Sequence, residues 1–365
     1  LKLTASGVVL RGEGPTKSIL AFQKSLSDAF GPLMGGSSNQ YSWCGGLIWV
    51  APADSFNTDG KPAVAANEIQ KWEHWRPGAV LAEVRGAAKR GDVTVTVDPA
   101  AAAKLKPGST VLMTWENPAD LSLLHAMAGH AKMKEYDWGK ATGLTERPRW
   151  DWPVEVAAVK GGTVTLKQPL RLDVKPEWKV IHAAAKNTTV TGFAVRGGEC
   201  HHATALRVAS HDNLIEKFRI DAKAFHGINT EYLATGNVWS DGVMAHGTFD
   251  SHRAMSFELI RTNITLEAND GRPGGGGGAG PFLGARVVHW NITLRGGGKD
   301  PGLYVNQPDA ISLGALVGVR GPKSDANAWA MVPGDKGCVI ADEGKEPDPK
   351  DLYQAQLKLR LGGGK

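Results

Sequence analysis

Asn187-Thr-Thr-Val, Asn213-Leu-Ile, Asn237-Val-Trp, Asn263-Ile-Thr and Asn291-Ile-Thr follow one another in steps of 26, 24, 26 and 28 residues. Each asparagine leads into a run of strand formers: Thr189–Val195, Leu214–Ile220, Val238–Met244, Ile264–Leu266 and Ile292–Leu294. Histidines return beside them at His202, His226 and His252, and each opens a second alternating run. A unit of this length cannot bury its own apolar face, so neighbouring units must stack. Two strand runs per repeat, with no helix-period segment between them, predict an all-β fold, a parallel β-helix or solenoid. Stacked coils lie about 4.8 Å apart, so equivalent residues form columns. The five asparagines are expected to share one column and to pass amide hydrogen bonds from coil to coil. Three of them open Asn-X-Thr sequons (187, 263 and 291), but an amide held between coils is not a glycosylation acceptor.

The repeat divides the chain. Residues 1–50 read as the first coils, with short apolar strands at Val8–Leu10, Ile19–Phe22 and Gly45–Val50. The ladder then vanishes over 51–177, where hairpin-like alternation (Gly91–Val97, Gly108–Met113, Gly162–Leu166) and one short helix in Pro118–Met133 suggest an inserted, mainly-β lobe. Trp75, Trp115, Trp138, Trp150 and Trp152 of this lobe either stack on sugar rings or fill a small core. Coils resume over 178–320, interrupted by the glycine run Gly271–Gly280, which reads as a mobile turn. Residues 321–365 form a C-terminal arm or cap in which Leu352–Leu361 alternates like a closing strand.

Composition narrows the partners. With 42 basic and 37 acidic residues the net charge of +5 tolerates an anionic polysaccharide, and no basic run is dense enough for nucleic acid. No apolar stretch is long enough to span a membrane. Cys44, Cys200 and Cys338 have no metal-ligand spacing; one bridge with a free thiol and three buried thiols are both open. Leu1 opens the chain in mid-strand without Met, as in a processed or truncated form. The oligomeric state is not legible.

The ladder, together with the opening Ser6-Gly-Val-Val-Leu-Arg-Gly-Glu-Gly14, resembles the pectin-lyase-like superfamily of right-handed parallel β-helices over 1–50 and 178–320. That resemblance implies a secreted or cell-surface protein that meets polysaccharide, an acidic one in the favoured reading. Its members include lyases, hydrolases, transglycosidases, epimerases and non-catalytic adhesins, so the reaction has to be argued from the site.

The densest polar cluster runs from Asp241 through His246 and Asp250 to His252 and Arg253. Lyases of this fold class abstract the proton beside a uronate carboxylate. They therefore need a cation to neutralise that carboxylate, a base, and a proton for the leaving oxygen. Arg253 suits the first task, because its planar fork matches a carboxylate. His252 or His226 suits the second and His246 the third, with Asp250 orienting an imidazole. His202, Asp241, Trp239 and Arg286 complete the expected substrate contacts. Alternatively, the histidines bond turn carbonyls in a structural ladder. Asn237-Val-Trp-Ser-Asp241 loosely resembles a segment of the calcium-dependent pectate lyases, but the clustered acids that hold the ion are missing, so no cofactor is expected. A hydrolase would instead pair Asp241 with Asp250, or Glu231 with Glu258. A non-catalytic surface or carbohydrate-binding β-helix is the remaining class.

Overall fold

The computed structural model describes residues 80–129, 137–140, 142–145, 149–178, 180–184, 211–230, 233–251, 255–273, 283–296, 301–303, 312–322 and 338–362, with short pieces at 2–3, 9–13, 16–24, 28–29, 48–50, 58, 189–191, 194–196 and 204–206. Among these residues the chain is a parallel β-helix with an antiparallel lobe on its flank. The longest sheet stacks, in order, Ile19–Ala21, Ala194–Arg196, Leu214–Ile220, Val238–Met244, Ile260–Leu266, Val288–Leu294, Ala315–Val317 and Val339–Ala341, every pair parallel. A second wall is made by Thr204–Leu206, Gly227–Thr230 and Thr248–Ser251. Between the two walls lies a core of Phe218, Ile228, Trp239, Met244, Phe249, Ile264, Leu283 and Ile292.

Each long strand is two short strands joined by a bend. Pairing runs Glu216↔Ser240↔Thr262↔Trp290, skips one residue, and resumes at Phe218↔Gly242↔Ile264↔Ile292. The skipped residues are Lys217, Asp241, Asn263 and Asn291, with φ between 52° and 56°; Gly318 (φ 68°) and Asp342 (φ 51°) continue the same column. Left-handed backbone costs an ordinary residue about 1–2 kcal/mol and costs Asn or Asp less, because their short side chains bond locally. Here those side chains bond the next coil: Asn291 Nδ2 donates to Asn263 Oδ1 (3.0 Å), and Asn263 Nδ2 to Asp241 Oδ1 (2.9 Å).

This corrects the single asparagine column. Asn213 Nδ2 donates to Asn237 Oδ1 at 2.9 Å, but this pair stands four residues before the bend, where the following coils carry Leu259 and Val287. There are two ladders, because the coil from Asp241 to Asn263 is 22 residues long while that from Asn263 to Asn291 is 28. Asn187 lies outside the described residues. The histidine column fails for the same reason. Gly227 is level with Thr248, so the counterpart of His226 is Gly247 and not His252.

In the lobe, Ala82–Glu83, Val180–Ala184, Thr110–Glu116, Arg149–Lys160, Thr163–Leu166 and Thr94–Thr96 make an antiparallel sheet, and Ser122–Ala128 supplies the expected helix. Val180–Ala184 belongs to this sheet although it follows residue 177. Trp115, Trp138, Trp150 and Trp152 are all buried, which settles these four as core rather than sugar platforms; Trp178 is buried with them, and Trp75 lies outside the described residues.

The lobe core runs directly into Leu233, Met255 and Phe257 of the solenoid, and Ala285 N donates to Met127 O at the helix end (2.8 Å). The polar seam is centred on Glu258, which accepts from Arg286 (2.7 Å), Arg171 (3.0 Å) and Arg90 (3.2 Å). Arg171 also bonds Asp212, whose other oxygen accepts from Trp152 Nε1 (2.9 Å). A methyl on Gly236 would lie 2.4 Å from Asp212 Oδ1 and 2.6 Å from Arg171 Nη2, so only glycine admits this clamp. Burial alone would raise the Glu258 pKa; the three arginines outweigh it and hold the carboxyl below its usual range. His211, packed edge-on against Trp150, is pushed down to about 3 by burial and then by Arg171.

The C-terminus corrects another expectation. Leu352–Arg360 is a helix, capped by the Asp351 side chain on Gln354 N (3.1 Å), and not a closing strand. The segment before it is a strap running back across the long sheet. Arg320 donates to Lys345 O, Trp290 Nε1 to Pro349 O (2.6 Å), Asn291 Nδ2 to Lys350 O (2.9 Å), Ser240 to Asp351 (2.5 Å) and Leu352 N to Thr262 (2.9 Å). Of the cysteines, Cys338 is half-buried beside the last strand of the long sheet; Cys44 and Cys200 lie outside the described residues.

Three substitutions test these contacts. Lys217→Gly should raise stability by about 1 kcal/mol, because the left-handed bend is relieved and the lost side chain is exposed. Asn263→Gly relieves the same bend but deletes two ladder bonds and should lower stability by about 1–2 kcal/mol; denaturant midpoints decide both. Glu258→Gln should cost about 3 kcal/mol at neutral pH. Because the folded pKa is depressed, this contribution is full above the unfolded value of about 4.3 and is lost as pH falls through the folded one. Wild type and variant should therefore converge in acid unfolding titrations.

Candidate functional site

The long strands end at Ile220, Met244 and Leu266, and the chain must turn before the short strands begin at Gly227 and Thr248. These turns stack into a rim through backbone bonds from Ala245 N to Ile220 O, Ala268 N to Ala245 O and Arg272 N to Phe225 O (2.8–2.9 Å). The packing is tight at Gly271, where a methyl would fall 2.7 Å from both Gly247 C and Phe225 O.

Two imidazoles sit on this rim. His246 Nδ1 is 2.8 Å from Asp270 Oδ2, and Gly247 N donates to Asp270 Oδ1 at 3.0 Å. Both partners are open to solvent, at 35 % and 39 % side-chain exposure. Burial would raise the Asp270 pKa, but the Gly247 N–H and the His246 ring hold it below the usual value. His226 is the buried counterpart: its Nδ1 lies 2.6 Å from Arg272 O and 3.6 Å from Asp250 Oδ1. A carbonyl only accepts, so that nitrogen carries the proton. Phe225 stands edge-on to His226 with ring centroids 4.8 Å apart, yet remains half exposed at 51 %. Arg219 reaches Asp221 of its own coil (2.7 Å) and Glu267 (3.4 Å), linking turns two coils apart.

The expected site residues scatter over this framework. His226, His246 and Asp250 come to one rim, but Asp250 is fully buried and His226 nearly so. Of the three, only His246 presents itself to a ligand. Trp239 is a correction: it is fully buried beneath the sheet, its ring 5.6 Å from the Arg261 guanidinium, and reaches no surface. Arg286 is bonded to Glu258 at the lobe seam, and exposed Asp241 is engaged in the bend ladder. These three share no surface. His202, His252, Arg253 and Glu231 lie outside the described residues.

Sequence reasoning passed over Asp270, Phe225 and Arg261. Asp270 stands 24 residues from His246, a coil step, but directly before Gly271–Gly280, the run read as a mobile turn. Arg261 is wholly buried between Trp239 and Phe249 and donates to Asp250 O (2.8 Å). Its coil neighbour His289 is held well below the ordinary imidazole pKa, by burial and then by Arg261. An arginine in an interior column carries no periodic signal.

No protein family model matches the chain, and no curated protein does. Solved structures similar to it include the tailspike gp49 of Pseudomonas phage LKA1 (10 % identity, TM-score 0.33, over 73 % of this chain and 37 % of that one). Another is the tailspike gp61 of Pseudomonas phage phi297 (12 %, 0.33, 67 % and 45 %). A third is the Gp54 tailspike of Acinetobacter baumannii bacteriophage AP22, solved in complex with A. baumannii capsular saccharide (12 %, 0.29, 73 % and 56 %). The chain thus spans about a third to just over half of each. At these identities and scores the neighbours carry no argument about what this chain does.

Core and rim aromatics should separate experimentally. Trp239→Ala should cost about 3–5 kcal/mol in unfolding free energy. Phe225→Ala should cost under about 1 kcal/mol. Equal losses would return Phe225 to the core.

Proposed function

We propose that this chain is an extracellular, polysaccharide-active β-helix protein of the pectin-lyase-like type, working at the 221–226, 245–247 and 267–273 rim as a metal-independent lyase on a uronic-acid polymer. The carrying observation is the solvent-open His246–Asp270 pair. An imidazole backed by a carboxylate can take the proton from the carbon beside the uronate carboxylate. The bond to the next sugar then breaks, a carbon–carbon double bond forms, and the leaving oxygen regains a proton. Half-exposed Phe225 offers a face for a sugar ring. His252 and Arg253 are proposed to join this set, Arg253 neutralising the carboxylate.

Hydrolysis is the weaker reading because its carboxylate pairs are compromised: Asp250 is fully buried and Glu258 is held by three arginines. A proton-transfer pair of two such carboxylates needs both at the surface.

The test is incubation with a panel of acidic and neutral polysaccharides, reading ultraviolet absorbance of unsaturated ends and new reducing ends. Unsaturated product should form with an acidic polymer, survive chelator, and fall about 100-fold or more in His246→Ala. Reducing ends without unsaturation would establish a hydrolase. Binding without either product would establish a carbohydrate-binding protein.

A further inference from the structure

The His246–Asp270 geometry points to a second assignment, which rests on the proposed site and deepens it. We infer that Asp270 is a positioning residue that fixes His246 as the Nδ1–H tautomer, leaving Nε2 as a proton acceptor for a polyhydroxylated, sugar-like ligand.

An ionised carboxylate has no proton to donate, so a 2.8 Å contact between Asp270 Oδ2 and His246 Nδ1 requires the proton on Nδ1. The carboxylate cannot swing away, because its other oxygen accepts from Gly247 N at 3.0 Å. Successive residues of one coil, 246 and 247, therefore grip both oxygens of a side chain contributed by the next. The clamp is anchored in turn by the rim backbone, where Gly271 packs against Gly247 and Phe225 too closely for any larger residue. With Nδ1 committed, the remaining lone pair of the ring is on Nε2. The ring is 35 % exposed. An unconstrained neutral imidazole divides its proton between two nitrogens and turns about its side-chain bonds; this one is held to a single tautomer and orientation.

Asp270→Asn is the informative change. Its oxygen can keep the bond from Gly247 N, which turns the amide NH2 toward Nδ1 and forces the proton onto Nε2. The shape is nearly unchanged and the acceptor is lost. In a triad histidine the same Asp-to-Asn exchange produces the wrong tautomer and a large loss of rate.

The experiment needs no known substrate. The histidine-labelled 365-residue chain is examined by long-range proton–nitrogen correlation under mildly alkaline conditions, with His246→Ala identifying the resonance. Wild type should show Nδ1–H for His246, and Asp270→Asn should show Nε2–H. In parallel, diethyl pyrocarbonate should modify His246 of the wild type, and the rate should fall about tenfold in Asp270→Asn. An Nε2–H signal in the wild type, or an unchanged tautomer and rate in the variant, overturns the assignment. If Asp270→Asn fails to fold, the wild-type tautomer alone decides. A confirmed tautomer in a protein that yields no product from any polysaccharide would leave this assignment standing and remove the lyase.

Discussion

One backbone constraint underlies the described coils: from Leu214 on, each turns a corner at the same register, and it does so with a residue in the left-handed region. The column Lys217, Asp241, Asn263, Asn291, Gly318 and Asp342 is that corner. A second column, Asp212, Gly236, Glu258, Arg286 and Leu313, makes the corner facing the lobe. Each position is unfavourable alone. Stacked, the first column places short polar side chains where they bond along the axis. The second aims Asp212 and Glu258 at the lobe arginines. The local cost of the bend is offset by contacts that only stacking makes available, which is why the structure is cooperative across coils.

The rim inherits its geometry from the same stacking. His246 and Asp270 are far apart in sequence and meet because their coils are adjacent. Their approach is set by strand spacing and not by loop conformation. A site built on rungs is therefore more precisely positioned than its turn location suggests. Interior polar groups serve that precision differently. Arg261 bonds the Asp250 carbonyl from inside, and Asp250 stands behind His226, so the inner and outer faces of one short strand are coupled through a buried cation.

The repeat was legible in the sequence because strand runs returned at a near-constant interval, and that sufficed for the parallel β-helix. Asn237 and Asn263 show where it stopped sufficing. Both open β-rich runs, yet one precedes the first half of its strand and the other sits at the bend. Only hydrogen-bond register separates them, since coil length varies with the turns. Trp239 followed Asn237 and looked available to a sugar, but alternation does not say which side of a wall faces in. Leu352–Leu361 alternates like a strand towards its end and also places leucines five and four apart, at 352, 357 and 361; the Asp351 cap, not the pattern, decides for helix. At the site, His246 was legible by residue type. Its partner Asp270 was hidden because a glycine-rich neighbourhood reads as disorder even where close packing demands glycine.

The C-terminal strap changes what kind of object the stack is. Solenoids are open at both ends, and such arrays come apart from their termini one repeat at a time. Here the last described segment returns from the Arg320 level to Ser240, crossing the rungs it ties. Peeling a single outer coil would also mean tearing out a cord knotted to the inner ones. The strap's partners Trp290, Thr262 and Ser240 belong to successive rungs, so its contacts exist only where those rungs are already stacked.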